Sequence, residues 1–327
     1  MGESLFVSLK VASGALTNVL VLIGILLIGR TFYRLTTKVE LEKEISENDN
    51  PAMGLALAGY LVGLALAVSG AISDSQVSWE KLGVLAGVGV VSMLLMRLSL
   101  VINDKLILSR FNNLSLIVDQ RNLGVGFIEA GGCVATGLMI AGVLSGKADT
   151  VEDRLLYGGI YWLVGQVALV LGAIAFRPAC GYDLDNELQE RNNTAAGISF
   201  GGMLVAIGFI IQAAMVGAST DVLAELATIG VFFVTGMVVL ELGYYVLGKV
   251  LIPRSPMSAE VGRDKNCGAG ALSAAGFIAI AVLFAAALSP ATTFATFSSA
   301  LKADEPVPAV APAPAPETKT VPVPQAK

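Results

Sequence analysis

Eight long apolar stretches limit what this chain can fold into. They run approximately over 11–30, 52–72, 82–102, 123–144, 156–176, 194–216, 226–248 and 268–289. A helix needs about 20 apolar residues to cross the hydrocarbon core of a bilayer, and each stretch is long enough. Inside lipid every backbone N–H group must be bonded within its own segment, which favours helices. The sequence therefore predicts an all-α, polytopic bundle of about eight transmembrane helices, surrounded by the lipid bilayer.

The composition agrees with a membrane protein and excludes several other classes. Hydrophobic residues make up 55% of the chain and charged residues 14%, whereas about 25% of the residues in a soluble domain are charged. The net charge of −5 provides no basic surface for nucleic acid. There is no histidine, and the three cysteines form no CxxC pair. We therefore predict neither a metal site nor a cofactor.

The basic residues are distributed unevenly between the loops. The longer loops, which follow the odd-numbered stretches, carry thirteen Lys and Arg residues, whereas the shorter loops carry only Lys81, Lys147 and Arg154. Loops rich in Lys and Arg remain on the cytoplasmic side. The pattern predicts a multi-pass protein of the bacterial inner (plasma) membrane with both termini in the periplasm. Basic residues also follow the first stretch rather than precede it, which favours a retained helix over a signal peptide.

A short motif, Asn-x-x-x-Gly, recurs just before each even-numbered stretch. Its copies are Asn50 with Gly54, Asn122 with Gly126, Asn193 with Gly197, and Asn266 with Gly270. The asparagines are 72, 71 and 73 residues apart, so the chain contains four tandem two-helix units. Asparagine is a favourable helix N-cap, and small residues allow close packing of membrane helices. The alternative interpretation is that the four asparagine side chains surround a cytoplasmic vestibule.

The four units also pair into two halves. Units 1 and 3 match at an offset of 143 residues, as with Glu44 and Glu187, and units 2 and 4 match at an offset of 144. We predict a first four-helix half at 1–150, a second at 151–301 and a disordered tail, rich in Pro and Ala, at 302–327. Each half contains an even number of helices, so the halves are parallel, related by an axis along the membrane normal.

The motif carries a family resemblance. The segments LEKEISENDNPAMGLALAGYLVG and DLDNELQERNNTAAGISFGGMLV resemble the YjfL-type bacterial membrane proteins, the family called Domain of Unknown Function 350. Units 1 and 3 fit its pattern best, and units 2 and 4 keep less of it. The resemblance covers most of residues 30–290, and implies tandem copies of a multi-spanning bacterial membrane protein. It implies no established activity and no catalytic residue.

Three charged residues lie inside the apolar stretches. Arg97, Glu129 and Glu241 each fall about five to seven residues from the predicted cytoplasmic end of a helix, roughly 7–10 Å deep. Arg97 and Glu241 occupy equivalent positions 144 residues apart, so they would face each other if both point at the axis between the halves. Three interpretations remain: Arg97 snorkels to the headgroups, the charges form a structural pair, or they serve transport.

No enzyme signature accompanies these charges. The sequence contains neither a glycine-rich phosphate loop with Lys and Ser or Thr, nor a nucleophile elbow. We therefore expect no enzymatic activity. Two functions remain: a channel or transporter for a small ion or solute, or a non-transporting scaffold or envelope-stress component that recruits cytoplasmic partners. The partner of the chain could also be a further copy of itself, in a homo-oligomer, instead of a cytoplasmic protein.

Overall fold

The computed structural model describes residues 2–72, 78–145, 151–216 and 222–288. The predicted tail and Lys147 lie outside these residues. Within the described ranges the α-helices are α1 (Gly2–Thr37), α2 (Pro51–Ser69), α3 (Trp79–Ile102), α4 (Asn113–Val118), α5 (Leu123–Leu144), α6 (Val151–Phe176), α7 (Leu184–Gln189), α8 (Thr194–Met215), α9 (Val222–Leu251) and α10 (Cys267–Leu288). Single π-helical turns cover Lys43–Glu47, Asn103–Ile107 and Ala259–Arg263, and a 3₁₀ turn covers Pro178–Cys180.

Eight of the described helices are long and apolar enough to cross a membrane, which confirms the predicted all-α fold. Two of them extend furthest beyond their apolar stretches: α1 has 36 residues and α9 has 30. Their polar ends remain helical because a helix does not stop where the hydrocarbon stops. The short helices α4 and α7 were not predicted, since six residues give too little periodicity to recognise.

The spanning helices form two layers. A central row contains α2, α5, α8 and α10, each packed against the next in that order. The flanking helices α1, α3, α6 and α9 lie against this row. Of these, α3 contacts both α2 and α5, and α6 contacts both α5 and α8. Every helix of the central row begins directly after a motif asparagine. The motif therefore marks one end of the bundle, which we call the motif end.

The central helices approach until their backbones touch. A Cβ atom at Gly131 of α5 would overlap the main chain of Gly201 in α8, and one at Gly208 would overlap Ala135. Such contacts are available only to small residues, and they replace the hydrophobic driving force that is absent between helices in lipid. Because α5 and α8 belong to different halves, their packing closes the space between the two halves at these positions.

The two halves form one compact unit, Met1–Leu288. The central row begins with α2 and ends with α10, and these two helices do not pack against each other. The units are therefore arranged side by side in an open row, rather than around an axis that all four share. This arrangement leaves one side of the first unit and one side of the fourth without a neighbouring unit.

Candidate functional site

Each motif asparagine caps a helix of the central row. The side-chain oxygen of Asn50 accepts hydrogen bonds from the main-chain N–H groups of Ala52 and Met53, at 3.1 Å each. The other three asparagines cap α5, α8 and α10 in the same way. The residue before each asparagine has a positive φ, which turns the chain sharply into the helix: Asp49, Arg121, Asn192 and Lys265.

The asparagine amides also connect consecutive units. The Nδ2 atom of Asn50 donates to the carbonyl of Ile117 at 2.9 Å, that of Asn122 to Leu188 at 2.7 Å, and that of Asn193 to Val261 at 2.9 Å. Each accepting carbonyl belongs to the connecting segment of the next unit. All three asparagines are buried, so they do not line a vestibule and that interpretation is wrong. We call each of these unit-to-unit contacts a junction.

The carboxylates that hold these amides were not predicted from the sequence. Glu44, Glu187 and Glu260 lie six residues before an asparagine and accept from its Nδ2 atom at 2.9, 2.8 and 3.1 Å, respectively. The second unit has Leu116 at that position. The sequence pattern that could have revealed these carboxylates is the acidic residue six positions before the asparagine in three of the four units. Acids also lie three residues before the asparagine in the first three units, but they are exposed: Glu47, Asp119 and Glu190.

A polar cavity of about 130 Å³ lies at the motif end of the first half. It is surrounded by the end of α1, the last turns of α3, the π-helical turn Asn103–Ile107, the start of α4 and the first turns of α5, and Leu204 of α8 in the second half completes the lining. Three charged side chains line it: Arg97, Asp104 and Glu129. Charge inside a membrane segment is costly and marks a candidate functional site.

Two of the charged side chains have partners on α1. Glu129 is half-buried, and its Oε1 atom accepts a hydrogen bond from the Tyr33 hydroxyl at 2.9 Å. A guanidinium nitrogen of Arg97 donates to the carbonyl oxygen of Thr36 at 3.2 Å. Arg97 and Glu129 therefore share one cavity and are both tethered to the same helix. Snorkelling alone does not describe Arg97, because its guanidinium is held at a specific acceptor.

Two amide oxygens of residues that line the cavity are buried without hydrogen-bond partners among the described residues. They are the Oδ1 atoms of Asn103 and Asn113, and Asn113 is only 5% exposed. A buried carbonyl oxygen left without a partner costs about 1–3 kcal/mol, and such atoms commonly bond a water or an ion. Neither asparagine was identified from the sequence, because neither belongs to the repeated motif.

Glu241 does not join this cavity. Its side chain is exposed on α9, which packs against α6, α8 and α10, whereas Arg97 lies on α3, which packs against α1, α2 and α5. The predicted layer of three charges is therefore reduced to Arg97 and Glu129, joined by Asp104. The equivalence of positions 97 and 241 does not bring them together, because the repeats lie side by side rather than across a shared axis.

A second charged cluster joins the two halves at the motif end. The Oδ2 atom of Asp185 in α7 accepts from Arg177 at 2.7 Å and from Arg110 at 3.1 Å. Arg177 also donates to the carbonyl of Ile107, which lies in the first half. Asp185 is buried, and Arg110 is exposed. These bonds are consistent with a structural link between the halves rather than with a binding site, since the guanidinium of Arg177 faces protein acceptors.

Comparison with known proteins agrees with the repeat. Residues 6–144 and 150–288 each match the family described as Domain of Unknown Function (DUF350). The chain is also 24% identical over 247 residues to a protein of Aquifex aeolicus (strain VF5) named UPF0719 transmembrane protein, covering 75% of this chain and 89% of that protein. No solved structure matches the chain. This multi-pass membrane protein therefore belongs to the DUF350 family, of which it contains two tandem copies.

Proposed function

We propose that the protein binds a small monovalent cation in the polar cavity, and that this site serves a channel or transporter for a small ion. The observation that carries the proposal is the buried, unpartnered Oδ1 atom of Asn113, a residue that lines the cavity together with two carboxylates. Hard cations prefer oxygen ligands. We propose no enzymatic role.

The charges of the cavity favour a cation over an anion. With both carboxylates ionised, Asp104 and Glu129 outnumber Arg97 by one negative charge. The Arg97 guanidinium is directed at the Thr36 carbonyl at 3.2 Å, which reduces its capacity to bind an anion. No group of three or more His, Cys, Asp or Glu side chains is placed to hold a metal among the described residues. This favours a weakly held monovalent ion over a divalent one.

The binding step is tested by thermal unfolding of the purified protein in K⁺, in Na⁺ and in N-methylglucamine at constant ionic strength. A ligand that binds only the folded state stabilises it, by about 2.7 kcal/mol at a concentration 100 times its Kd. We expect K⁺ or Na⁺ to raise Tm in the native chain and Glu129→Gln to abolish the increase. Glu241→Gln is the matched control, because it makes the same chemical change on an exposed surface. Equal responses in both variants would exclude the cavity as the site.

Transport is tested separately from binding. Proteoliposomes containing the native chain should release enclosed K⁺ or Na⁺ faster than proteoliposomes containing Glu129→Gln. Cation-dependent stabilisation without flux would leave the ion a structural role, and the transport proposal would fail.

The second candidate function is the non-transporting scaffold for cytoplasmic partners. It is favoured by the backbone contact of α5 and α8, where Gly131 meets Gly201 and leaves no passage between the halves. In this case the charged segments at the motif end would bind a protein partner, and neither Tm nor flux would depend on the cation.

The scaffold candidate requires the motif end to face the cytoplasm of a bacterial plasma membrane, as the basic residues predict. An alkaline phosphatase fusion after Ala300 should then be active, because the C-terminus would be periplasmic. A green fluorescent protein fusion at the same position should be dark. The opposite pair of results would reverse the orientation.

A further inference from the structure

The three junctions repeat one geometry. In each, the asparagine of one unit donates to a carbonyl of the next unit, at 2.7–2.9 Å. In each, a glycine nine residues after the asparagine faces the following central helix, where a Cβ atom would overlap its backbone: Gly59 meets Ala130, Gly131 meets Gly201, and Gly202 meets Ala274. A junction therefore consists of an amide bond at the motif end and a small-residue contact deeper in the membrane.

The motif glycines form the opposite face of the same junctions. Gly126, Gly197 and Gly270 each meet the preceding central helix, at Ala52, Gly124 and Ala195, respectively. Each central helix thus has one face for the unit before it and one face for the unit after it. The two faces are complementary because they fit each other three times within one chain.

We call the face of each unit that carries the asparagine amide and contacts the following unit its donor face, and the face that supplies the carbonyl to the preceding unit its acceptor face. In the fourth unit the donor face has no unit packed against it. Asn266 is exposed, and its amide nitrogen donates to Glu260 of its own unit and to no other unit of the described chain. Ala271, Ala275 and Ala279 lie on the same exposed side of α10. Buried residues make up 72% of the most apolar stretch of α8, which has neighbours on both sides, and 17% of that of α10.

The first unit presents the acceptor face with no unit on it. Nothing lies within 4 Å of the Cβ position of Gly54, whereas its three counterparts are covered. Ile45 is the counterpart of Ile117, Leu188 and Val261, whose main-chain carbonyls accept from the asparagine amides at the three junctions. Ile45 is 36% exposed, whereas each of those residues is 0% exposed. The two ends of the row are therefore the two halves of one junction.

We propose that a second copy of this chain occupies these faces, so that copies associate head to tail in the membrane. Asn266 of one copy bonds the main-chain carbonyl of Ile45 in the next, and Ala275 packs against Ala58. All four units share one orientation, so the added copy crosses the membrane in the same direction. A heterologous contact of this kind produces a closed ring or an open filament. The association is independent of the cation proposal, because none of the residues that line the cavity belongs to these two end faces.

Cysteine cross-linking in native membranes tests the contact. The exposed native Cys267 is first replaced by Ser, while Cys133 and Cys180 are buried and are kept. Two single variants then carry Ala58→Cys or Ala275→Cys, and a third carries both. We expect the double variant to form dimers and larger products after oxidation with copper phenanthroline. Co-expressed single variants should form dimers, whereas each single variant alone should not.

The control pair combines Ala58→Cys with Val234→Cys, which lies 60% exposed on α9 and measures random collisions. Products no more abundant than this control would overturn the proposal. Cross-linking of either single variant with itself would also overturn it, because that result requires a symmetric, isologous interface. Cross-linking of the cysteines to another protein in place of a second copy would assign the faces to a different partner.

A second measurement tests the contact without the cysteine variants, which could misfold. Ala275→Trp adds a large side chain to the exposed face of α10, so it should leave Tm unchanged and convert oligomers to single copies, measured by mass photometry in lipid nanodiscs. Val234→Trp is the matched control and should preserve the oligomer. A native chain that is a single copy at all densities in the bilayer would refute head-to-tail association.

Discussion

The two halves of the chain have the same arrangement of helices, but they differ in the side chains that surround the cavity. Tyr244 and Phe277 of the second half stack with ring centroids 4.5 Å apart, and Phe277 also contacts Phe176 at 4.9 Å. The positions equivalent to Tyr244 and Phe277 at the 144-residue offset are Leu100 and Cys133. Smaller side chains leave space in the first half that aromatic rings fill in the second.

The polar groups of the cavity have also been replaced in the second half. Tyr33 corresponds to Phe176, and Glu129 corresponds to Ser273, whose hydroxyl pairs with that of Ser199 at 2.7 Å. The first half therefore has a hydrogen bond between Tyr33 and the Glu129 carboxylate, whereas the second half has a phenylalanine ring and a pair of serine hydroxyls at the equivalent place. The first half therefore contains the polar groups on which the proposed cation site depends, and the second half has an aromatic ring and a serine at the positions of Tyr33 and Glu129.

The largest expected effect concerns the aromatic cluster. Phe277→Ala removes a fully buried ring and should lower the free energy of unfolding by about 3 kcal/mol, measured by SDS titration in mixed micelles. Cys133→Ala at the equivalent position should lower it by about 1 kcal/mol, since little is removed. Equal losses would contradict the view that the second half is the more tightly packed.

A double-mutant cycle examines the charges of the cavity. Arg97→Ala and Glu129→Ala should each destabilise the protein, and together they should cost less than the sum, with a coupling of about 1–2 kcal/mol. The reason is that each residue alone leaves an uncompensated charge inside the membrane segment. Strict additivity would mean that the two charges act independently, despite sharing a cavity.

The hydrogen bond of Tyr33 distinguishes a polar from an aromatic role. Tyr33→Phe makes this position resemble the second half and should cost about 1 kcal/mol, because the Glu129 carboxylate loses a donor. Tyr60→Phe is the matched control: the Tyr60 hydroxyl is buried with no partner among the described residues, so its removal should cost nothing or stabilise. A larger loss in Tyr60→Phe would reverse the roles of these neighbouring rings.

The smallest expected effect concerns the pair that repeat symmetry suggested. Arg97→Ala and Glu241→Ala should be additive within about 0.5 kcal/mol, because the residues lie on helices that do not pack together. Glu241→Ala alone should have little effect on stability, since its side chain is exposed. A measurable coupling would show that the halves meet differently in the bilayer.

Local sequence properties were sufficient for the elements but not for the site. The spans follow from helix length and apolar composition, and the N-caps follow from asparagine before an apolar run, so both could be predicted. The asparagine junctions could not, because Asn50 and the Ile117 carbonyl are 67 residues apart in the chain. Asn103 and Asn113 were equally hidden, since nothing local distinguishes a cavity wall from a solvated loop.

The sequence by itself determined eight membrane helices, their order and their fourfold repetition, because each depends on residues close together in the chain. Only the tertiary structure decided that the repeats form an open row, that Arg97 shares a cavity with Glu129 rather than with Glu241, and that the charged residues of this cavity all come from the first half. These outcomes depend on which side chains meet across helices and on how much volume they fill. Repetition specifies equivalent surfaces, but packing alone decides which of those surfaces remain uncovered.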